Sequence, residues 1–126
     1  MPAEPRYLLD SNIAIYLLDG SSLAAANRLA ACEVGSVITS SICLAEIMVR
    51  LTPVQSERLP LFLNHIAVAP FDAAAARTYA GLPFKRLSFD RLIAAHAHSL
   101  GLVVITADID DFSDVPGLKV ENWTMP

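Results

Sequence analysis

The sequence has little of what marks several common classes of protein. Only two of its 126 residues are cysteines, Cys32 and Cys43, and no CxxC or Cys/His spacing accompanies them. We therefore expect free thiols and neither a disulfide framework nor a zinc site. Charged residues make up 17% of the chain, the net charge is −4, and no run of like charges occurs. This balance excludes a broadly basic surface for nucleic acid, so any basic patch must be local.

Long hydrophobic runs are also missing. No uncharged apolar stretch reaches the ~20 residues that cross a bilayer, and MPAEPRYLLD at the start does not have the pattern of a signal peptide. These features predict a cytoplasmic protein without a membrane partner. GxSxG, GxGxxG, P-loop and HExxH patterns are absent. His96 and His98 are two residues apart and face different sides of a helix, so we expect core or surface roles for the histidines.

Apolar residues supply 54% of the chain, and their pattern predicts one α/β domain over residues 1–126. Short apolar or β-branched runs predict strands at 6–10, 36–40, 66–71, 102–106 and 118–122. Longer segments predict helices at 11–20, 21–35, 41–51, 54–65, 72–82 and 88–101, the fourth of them broken by Pro60. Because helices separate the strands, we expect a parallel sheet within a three-layer α/β/α sandwich.

Acidic residues follow two of the predicted strands. Asp10 comes directly after the first strand, and Asp108 lies two residues after the fourth. Sites in such sheets gather beyond the carboxyl ends of the strands, so the two acids share a crevice if these strands are neighbours. The pattern leaves open a turn or capping role for Asp10, with Ser11 or Asn12 also able to cap the next helix. It also leaves open a solvated acidic loop at 108–111.

Two more acids lie in apolar helices. Glu46 is surrounded by apolar residues in ICLAEIMVRL, where it either pairs with Arg50 one turn later or has a functional role. Asp90 falls in the first turn of its helix, where a carboxylate favours the helix dipole. Phe89 and Leu92 beside it suggest partial burial, and a buried acid needs a partner or a metal ion.

Taken in order, four segments resemble the PIN-domain ribonucleases, and in particular the VapC toxins of toxin–antitoxin pairs. They are YLLDSNIAIYLL at 7–18, SSICLAEI at 40–47, FDRLIAAHAHSLGLVVITADIDDF at 89–112 and GLKVENW at 117–123. The resemblance covers almost the whole chain with fitting spacing. It implies a PIN-like sandwich with strand order 3-2-1-4-5, which places the first and fourth strands side by side.

The resemblance also implies a cluster of acids that binds Mg²⁺ or Mn²⁺. By motif match the catalytic and metal-binding residues are Asp10, Glu46, Asp90 and Asp108. Ser11, Thr106 and Asp111 match supporting positions, and the choice between Asp108 and Asp111 as fourth ligand stays open, as does the number of ions. Three basic residues flank Asp90 and either contact RNA phosphates or form a solvated edge: Lys85, Arg86 and Arg91.

The function implied by this resemblance is a metal-dependent endoribonuclease that hydrolyses RNA with a metal-activated water and acts as a type II toxin. A homodimer and a cognate antitoxin are implied as partners, with the apolar helices at 11–20 and 41–51 as candidate antitoxin surfaces. The main alternative is a catalytically silent PIN-like module that binds RNA or protein. A DNA nuclease of the same fold is a further alternative.

Overall fold

The computed structural model describes residues 2–83 and 87–125. Its strands are Tyr7–Leu9 (β1), Val37–Ser40 (β2), Ala67–Ala69 (β3), Val103–Ile105 (β4) and Val120–Glu121 (β5). Its helices are Ser11–Asp19 (α1), Leu23–Ala30 (α2), Ser41–Met48 (α3), Pro53–His65 (α4), Ala73–Ala80 (α5) and Phe89–Leu100 (α6), and Ile109–Asp111 forms a 3₁₀ turn.

All strand pairs are parallel, and the order is β3-β2-β1-β4-β5. In register, Leu8 of β1 faces Ile38 on one side and Val104 on the other. The predicted α/β fold and its strand order are therefore confirmed. The first and fourth strands are neighbours, so their carboxyl ends open into the same crevice.

Side chains of β1 alternate between two cores. Leu8 packs in a cluster with Ile93 and Ala94 of α6, whereas Leu9 packs on the other face with Ile13 of α1 and with Trp123. Successive residues of a strand point to opposite faces, so a fully buried strand needs helices on both sides. This packing makes the three layers and fixes α1 and α6 against β1.

Helix α4 corrects one prediction. The sequence suggests a break at Pro60, but the helix runs without interruption from Pro53 to His65. Thr52 and Gln55 form a capping box at its start, with each side chain accepting the other's backbone N–H. Pro60 is exposed, so the carbonyl that its missing N–H would have bound can turn to solvent.

Helix α2 is shorter than the predicted 21–35. Ser22 caps it by accepting from the N–H of Ala25, and the helix ends at Ala30, so the residues up to Gly35 form turns. Helix α6, predicted over 88–101, ends at Leu100, and Gly101 caps it with φ of 70° in the left-handed region that glycine tolerates.

One histidine and both cysteines lie in or beside the cores in the described part of the chain. His96 is buried on α6, with Nδ1 2.8 Å from Oγ of Ser40. Both cysteines are free thiols, Cys43 buried and Cys32 partly so. Of the helices within 2–83 and 87–125, none has the length and apolar character that spanning a membrane requires.

Candidate active site

Asp10 lies at the centre of the crevice, between the ends of β1 and β4. Its backbone N–H donates to the carbonyl of Ile105 at 2.8 Å, which extends the sheet by one residue, and the side chain is almost completely buried. Ser11 N donates to Oδ1 at 2.8 Å and Thr106 Oγ1 donates to Oδ2 at 2.8 Å. Asp10, and not Ser11 or Asn12, is therefore the N-cap of α1, and its carboxylate is held in one orientation.

Ser11 links Asp10 to Glu46. Its hydroxyl donates to Oε1 of Glu46 at 3.2 Å, across a sequence separation of 35 residues. The Arg50 pairing that the sequence left open is not among the described ion pairs, although the Arg50 charge lowers the pKa of Glu46. Packing of α1 against α3 thus turns Glu46 toward the crevice.

Asp108 joins the same group through Thr106 and Asn12. The backbone N–H of Asp108 donates to Oγ1 of Thr106 at 3.0 Å, and Asn12 Nδ2 donates to Oδ2 of Asp108 at 2.8 Å. From the sequence, Asn12 is predicted only as a possible helix cap. Its place one residue after Ser11, in the first turn of α1, was the available signal that it could reach the crevice.

Asp90 enters from the other side of the sheet, in the first turn of α6. Ser88 caps this helix by accepting from the N–H of Arg91 at 3.2 Å. Burial raises the pKa of Asp90 to about 6, and the charges of Asp10, Asp111 and Asp108 add to that effect, as does a side-chain hydrogen bond with Asp111. Asp90 therefore lies within electrostatic reach of acids from two other segments, the end of β1 and the turn after β4.

The other acids repel one another in the same way. Burial raises the pKa of Asp10, the hydrogen bonds from Thr106 and Ser11 oppose the shift, and the charges of Glu46 and Asp108 increase it. Burial likewise raises the pKa of Glu46, with Ser11 opposing and Asp90 adding to the change. The crevice thus concentrates negative charge that is unfavourable unless a proton or a cation compensates it.

The acids are neighbours, but their oxygens do not form a complete set of metal ligands. Within 2–83 and 87–125, no group of three or more His, Cys, Asp or Glu side chains is arranged so that it could hold a metal ion. Hydrogen bonds from Ser11, Thr106 and Asn12 occupy several of the carboxylate oxygens instead. The donor set still suits Mg²⁺, which takes oxygen ligands and needs only one or two carboxylates beside retained water.

The predicted RNA contacts are only partly within the described structure. Lys85 and Arg86 lie outside the described residues. Arg91 is described, and its guanidinium forms an ion pair with Asp114. An RNA contact at Arg91 stays a prediction.

Comparison with known proteins agrees with this fold. The family described as "PIN domain" matches residues 7–118. A protein of Shigella flexneri named "tRNA(fMet)-specific endonuclease VapC" is 30% identical, over 94% of this chain and 98% of its own.

Solved structures agree as well. VapBC2 from Rickettsia felis, bound to a DNA fragment from its promoter, contains a chain that superposes with a TM-score of 0.78 at 25% identity, covering 93% of this chain and 98% of that one. A toxin–antitoxin complex from Klebsiella pneumoniae gives 0.73 at 27% identity, with 92% and 96% covered. This chain belongs to the PIN domain family.

Proposed function

We propose that this protein is a divalent-metal-dependent endoribonuclease and the toxin of a toxin–antitoxin pair. The observation that carries the proposal is the convergence of Asp10, Glu46 and Asp90 in one crevice, where burial and mutual repulsion raise the pKa of each. A purely structural core has no reason to collect such costly groups. The family match and the names of the relatives support a nuclease.

In this proposal Asp10, Glu46, Asp90 and Asp108 hold Mg²⁺ or Mn²⁺. When bound, the ion would neutralise the carboxylates and the attacked phosphate and activate a water for hydrolysis of the RNA phosphodiester bond. Ser11 and Thr106 orient Asp10 and favour its charged form, since their hydrogen bonds oppose the burial that raises its pKa. Asn12 aims the carboxylate of Asp108 by donating to Oδ2. Asp111 supports Asp90 from the 3₁₀ turn.

A cleavage assay tests the proposal. We expect purified protein to cut tRNA in Mg²⁺ or Mn²⁺, EDTA to stop it, and Asp10→Asn and Asp90→Asn each to lower kcat/KM at least about a hundredfold, as loss of a major electrostatic group does. Asp110→Asn is the matched control, because Asp110 lies in the same exposed acidic turn and its carboxylate has no described contact with the other acids. Cleavage that survives EDTA, or both site variants, contradicts the metal mechanism.

A second candidate is a catalytically silent module that binds RNA or protein. The observation in its favour is that no three candidate ligands in the described chain are arranged to hold an ion. This reading predicts RNA binding by fluorescence anisotropy with no cleavage in either metal. A DNA oligonucleotide in the same assay tests the DNA nuclease alternative.

We further propose a cognate antitoxin as partner and a homodimer as the assembled state, with residues 1–126 as one domain. The complexes among the structural relatives support the antitoxin. An open groove of about 570 Å³ between α1, α2 and α4, lined by Leu17, Leu29, Leu61 and Phe62, offers an apolar surface for it. Leu61 is 64% exposed, so part of this surface lies open in the single chain. Co-purification with the product of a neighbouring gene, and light scattering of the isolated toxin, test these two partners.

A further inference from the structure

Arg91 connects two parts of the crevice that are far apart in sequence. It follows Asp90 in the first turn of α6, and its backbone N–H is fixed by the Ser88 cap. Its guanidinium reaches across to the segment after the 3₁₀ turn, where Nη1 and Nη2 bind the two carboxylate oxygens of Asp114, the second at 2.6 Å. Nη1 also donates to the backbone carbonyl of Asp111 at 3.3 Å.

These contacts have the geometry of a clamp. A guanidinium that binds a carboxylate with two parallel hydrogen bonds is fixed in direction as well as in distance. The side chain of Arg91 is only 20% exposed, whereas that of Asp114 is 53% exposed, so the arginine is the anchored partner. The carbonyl of Asp111 is held on the same guanidinium, which ties the end of the 3₁₀ turn to the start of α6.

The clamp acts on two of the candidate site residues. Asp90 is the residue before Arg91, and Asp111 is the residue whose carbonyl Arg91 binds. The Asp111 carboxylate is near enough to hydrogen-bond with Asp90 and to raise its pKa. The 3₁₀ turn is also held by bonds from the N–H of Asp111 to the carbonyl of Asp108 and from the Ser113 hydroxyl to the carbonyl of Asp110, and the buried Phe112 follows it, but none of these contacts reaches α6 as a hydrogen bond to the turn.

We propose that the Arg91–Asp114 pair is a positioning device that holds the 3₁₀ turn of residues 109–111, and with it the Asp111 carboxylate, against Asp90 in the metal-binding crevice. The inference rests on the proposed function and deepens it. Arg91 is a positioning residue here, and Asp114, which belongs to none of the matched motif positions, acts through it. The pair sets how tightly the acids surround a divalent ion.

Asp114→Asn is the decisive variant, because it breaks the clamp while leaving the Arg91 charge in place. In the metal-free protein we expect amide hydrogen exchange at Asp111 and Phe112 to become about threefold to fivefold faster, the upper range for loss of a partly exposed ion pair. We expect Mn²⁺ alone to bind correspondingly more weakly in calorimetry. With RNA, kcat falls about fivefold and KM stays unchanged.

Matched variants distinguish the loss of the Arg91–Asp114 pair from the loss of a negative charge nearby. Asp110→Asn removes the same charge from within the 3₁₀ turn, four residues from Asp114, and should leave exchange, Mn²⁺ affinity and kcat unchanged. Asp114→Glu keeps the carboxylate and should recover most of the Mn²⁺ affinity lost in Asp114→Asn. Arg91→Ala combined with Asp114→Asn should cost no more than Arg91→Ala alone, since the two residues act as one unit.

Two results overturn the proposal. If Asp114→Asn leaves exchange and Mn²⁺ binding unchanged but lowers KM, Arg91 is an RNA contact that Asp114 restrains. If Asp110→Asn and Asp114→Asn have equal effects, only the local charge matters. The exchange and Mn²⁺ readouts need no catalysis, so they test the clamp even if the wild-type protein cuts no RNA, which would reject the proposed function alone.

Discussion

Ser11 is the residue through which the acids of the crevice are connected. Its backbone N–H binds Asp10 and its hydroxyl binds Glu46. Both hydrogen bonds favour the charged carboxylate, and they oppose the effect of burial on the pKa of each acid. One residue thus favours the charged form of both acids, through its backbone N–H at Asp10 and its hydroxyl at Glu46.

Removing the Ser11 hydroxyl should shift the pH dependence of catalysis. In Ser11→Ala, Glu46 loses the contact that lowers its pKa, so we expect the acid limb of the kcat/KM profile in Mg²⁺ to move to higher pH. Ser11→Thr keeps a hydroxyl and should retain the wild-type limb. Steady-state cleavage of RNA at a series of pH values measures both. An unchanged limb in Ser11→Ala would show that Glu46 does not govern activity.

Asp90 should make the metal-free protein less stable as pH rises. Its pKa is raised from 3.8 to about 6, so between these values the folded state binds more protons than the unfolded state. Stability therefore falls across this window as pH increases. Asp90→Asn should remove this contribution, so its stability relative to wild type should increase from pH 4 to pH 7 in urea unfolding with EDTA. A constant difference between the two proteins would contradict the raised pKa.

At the scale of elements, helix α4 shows that packing can override the tendency of a proline to break a helix. Proline inside a helix loses a hydrogen bond and clashes with the preceding turn. Nevertheless α4 stays continuous through Pro60, with a capping box at one end and contacts to α1 along its length. Phe62 and Leu59 pack into apolar clusters beneath it, and this burial holds the helix together.

Pro60→Ala should therefore stabilise the protein. We expect a gain of about 2 kcal/mol, the cost of an interior proline less the entropy it removes from the unfolded chain. Pro53→Ala is the control, because Pro53 occupies the first turn, where proline is favourable, and its loss should give no gain. Urea unfolding measures both variants. RNA cleavage should be unchanged in Pro60→Ala, since the residue is remote from Asp10 and Asp90 along the fold.

At the scale of the whole molecule, the crevice couples metal binding to folding. Acids from β1, α3, α6 and the loop after β4 are neighbours only in the folded chain, so an ion that they hold stabilises the folded state. The same acids repel one another without it, as the raised pKa values of Asp10 and Asp90 indicate. We expect the fold to be more tolerant of neutralised site residues than activity is.

Divalent ions should raise the stability of the wild-type protein by about 2.7 kcal/mol at a hundredfold excess over Kd. Thermal unfolding in EDTA, Mg²⁺ and Mn²⁺ measures this gain. Asp10→Asn should lose most of it and should be no less stable than wild type in EDTA at neutral pH. A gain that Asp10→Asn retains would place ion binding elsewhere on the surface.

The positions of these acids could be predicted from the sequence, because each acid lies at a recognisable end of a strand or start of a helix. Asp10 ends a short apolar strand, Asp90 follows the Ser88 cap, and Asp108 comes just after another apolar strand. It was harder to predict from the sequence that these acids lie close together, that Asn12 contacts Asp108, or that Arg91 pairs with Asp114. Asn12 and Asp108 are separated by 96 residues, so no local pattern encodes their contact.

The alternation of strands and helices and the serine caps that begin α2 and α6 were determined by the sequence alone, because short-range sterics and hydrogen bonds govern them. The acids at the strand ends are likewise a property of the sequence. The tertiary structure decided which strands pair, whether Pro60 breaks α4, and how the carboxylates of Asp10, Glu46 and Asp90 face one another. Those outcomes depend on burial shared between distant segments. Only the assembled core sets the free energy of such contacts.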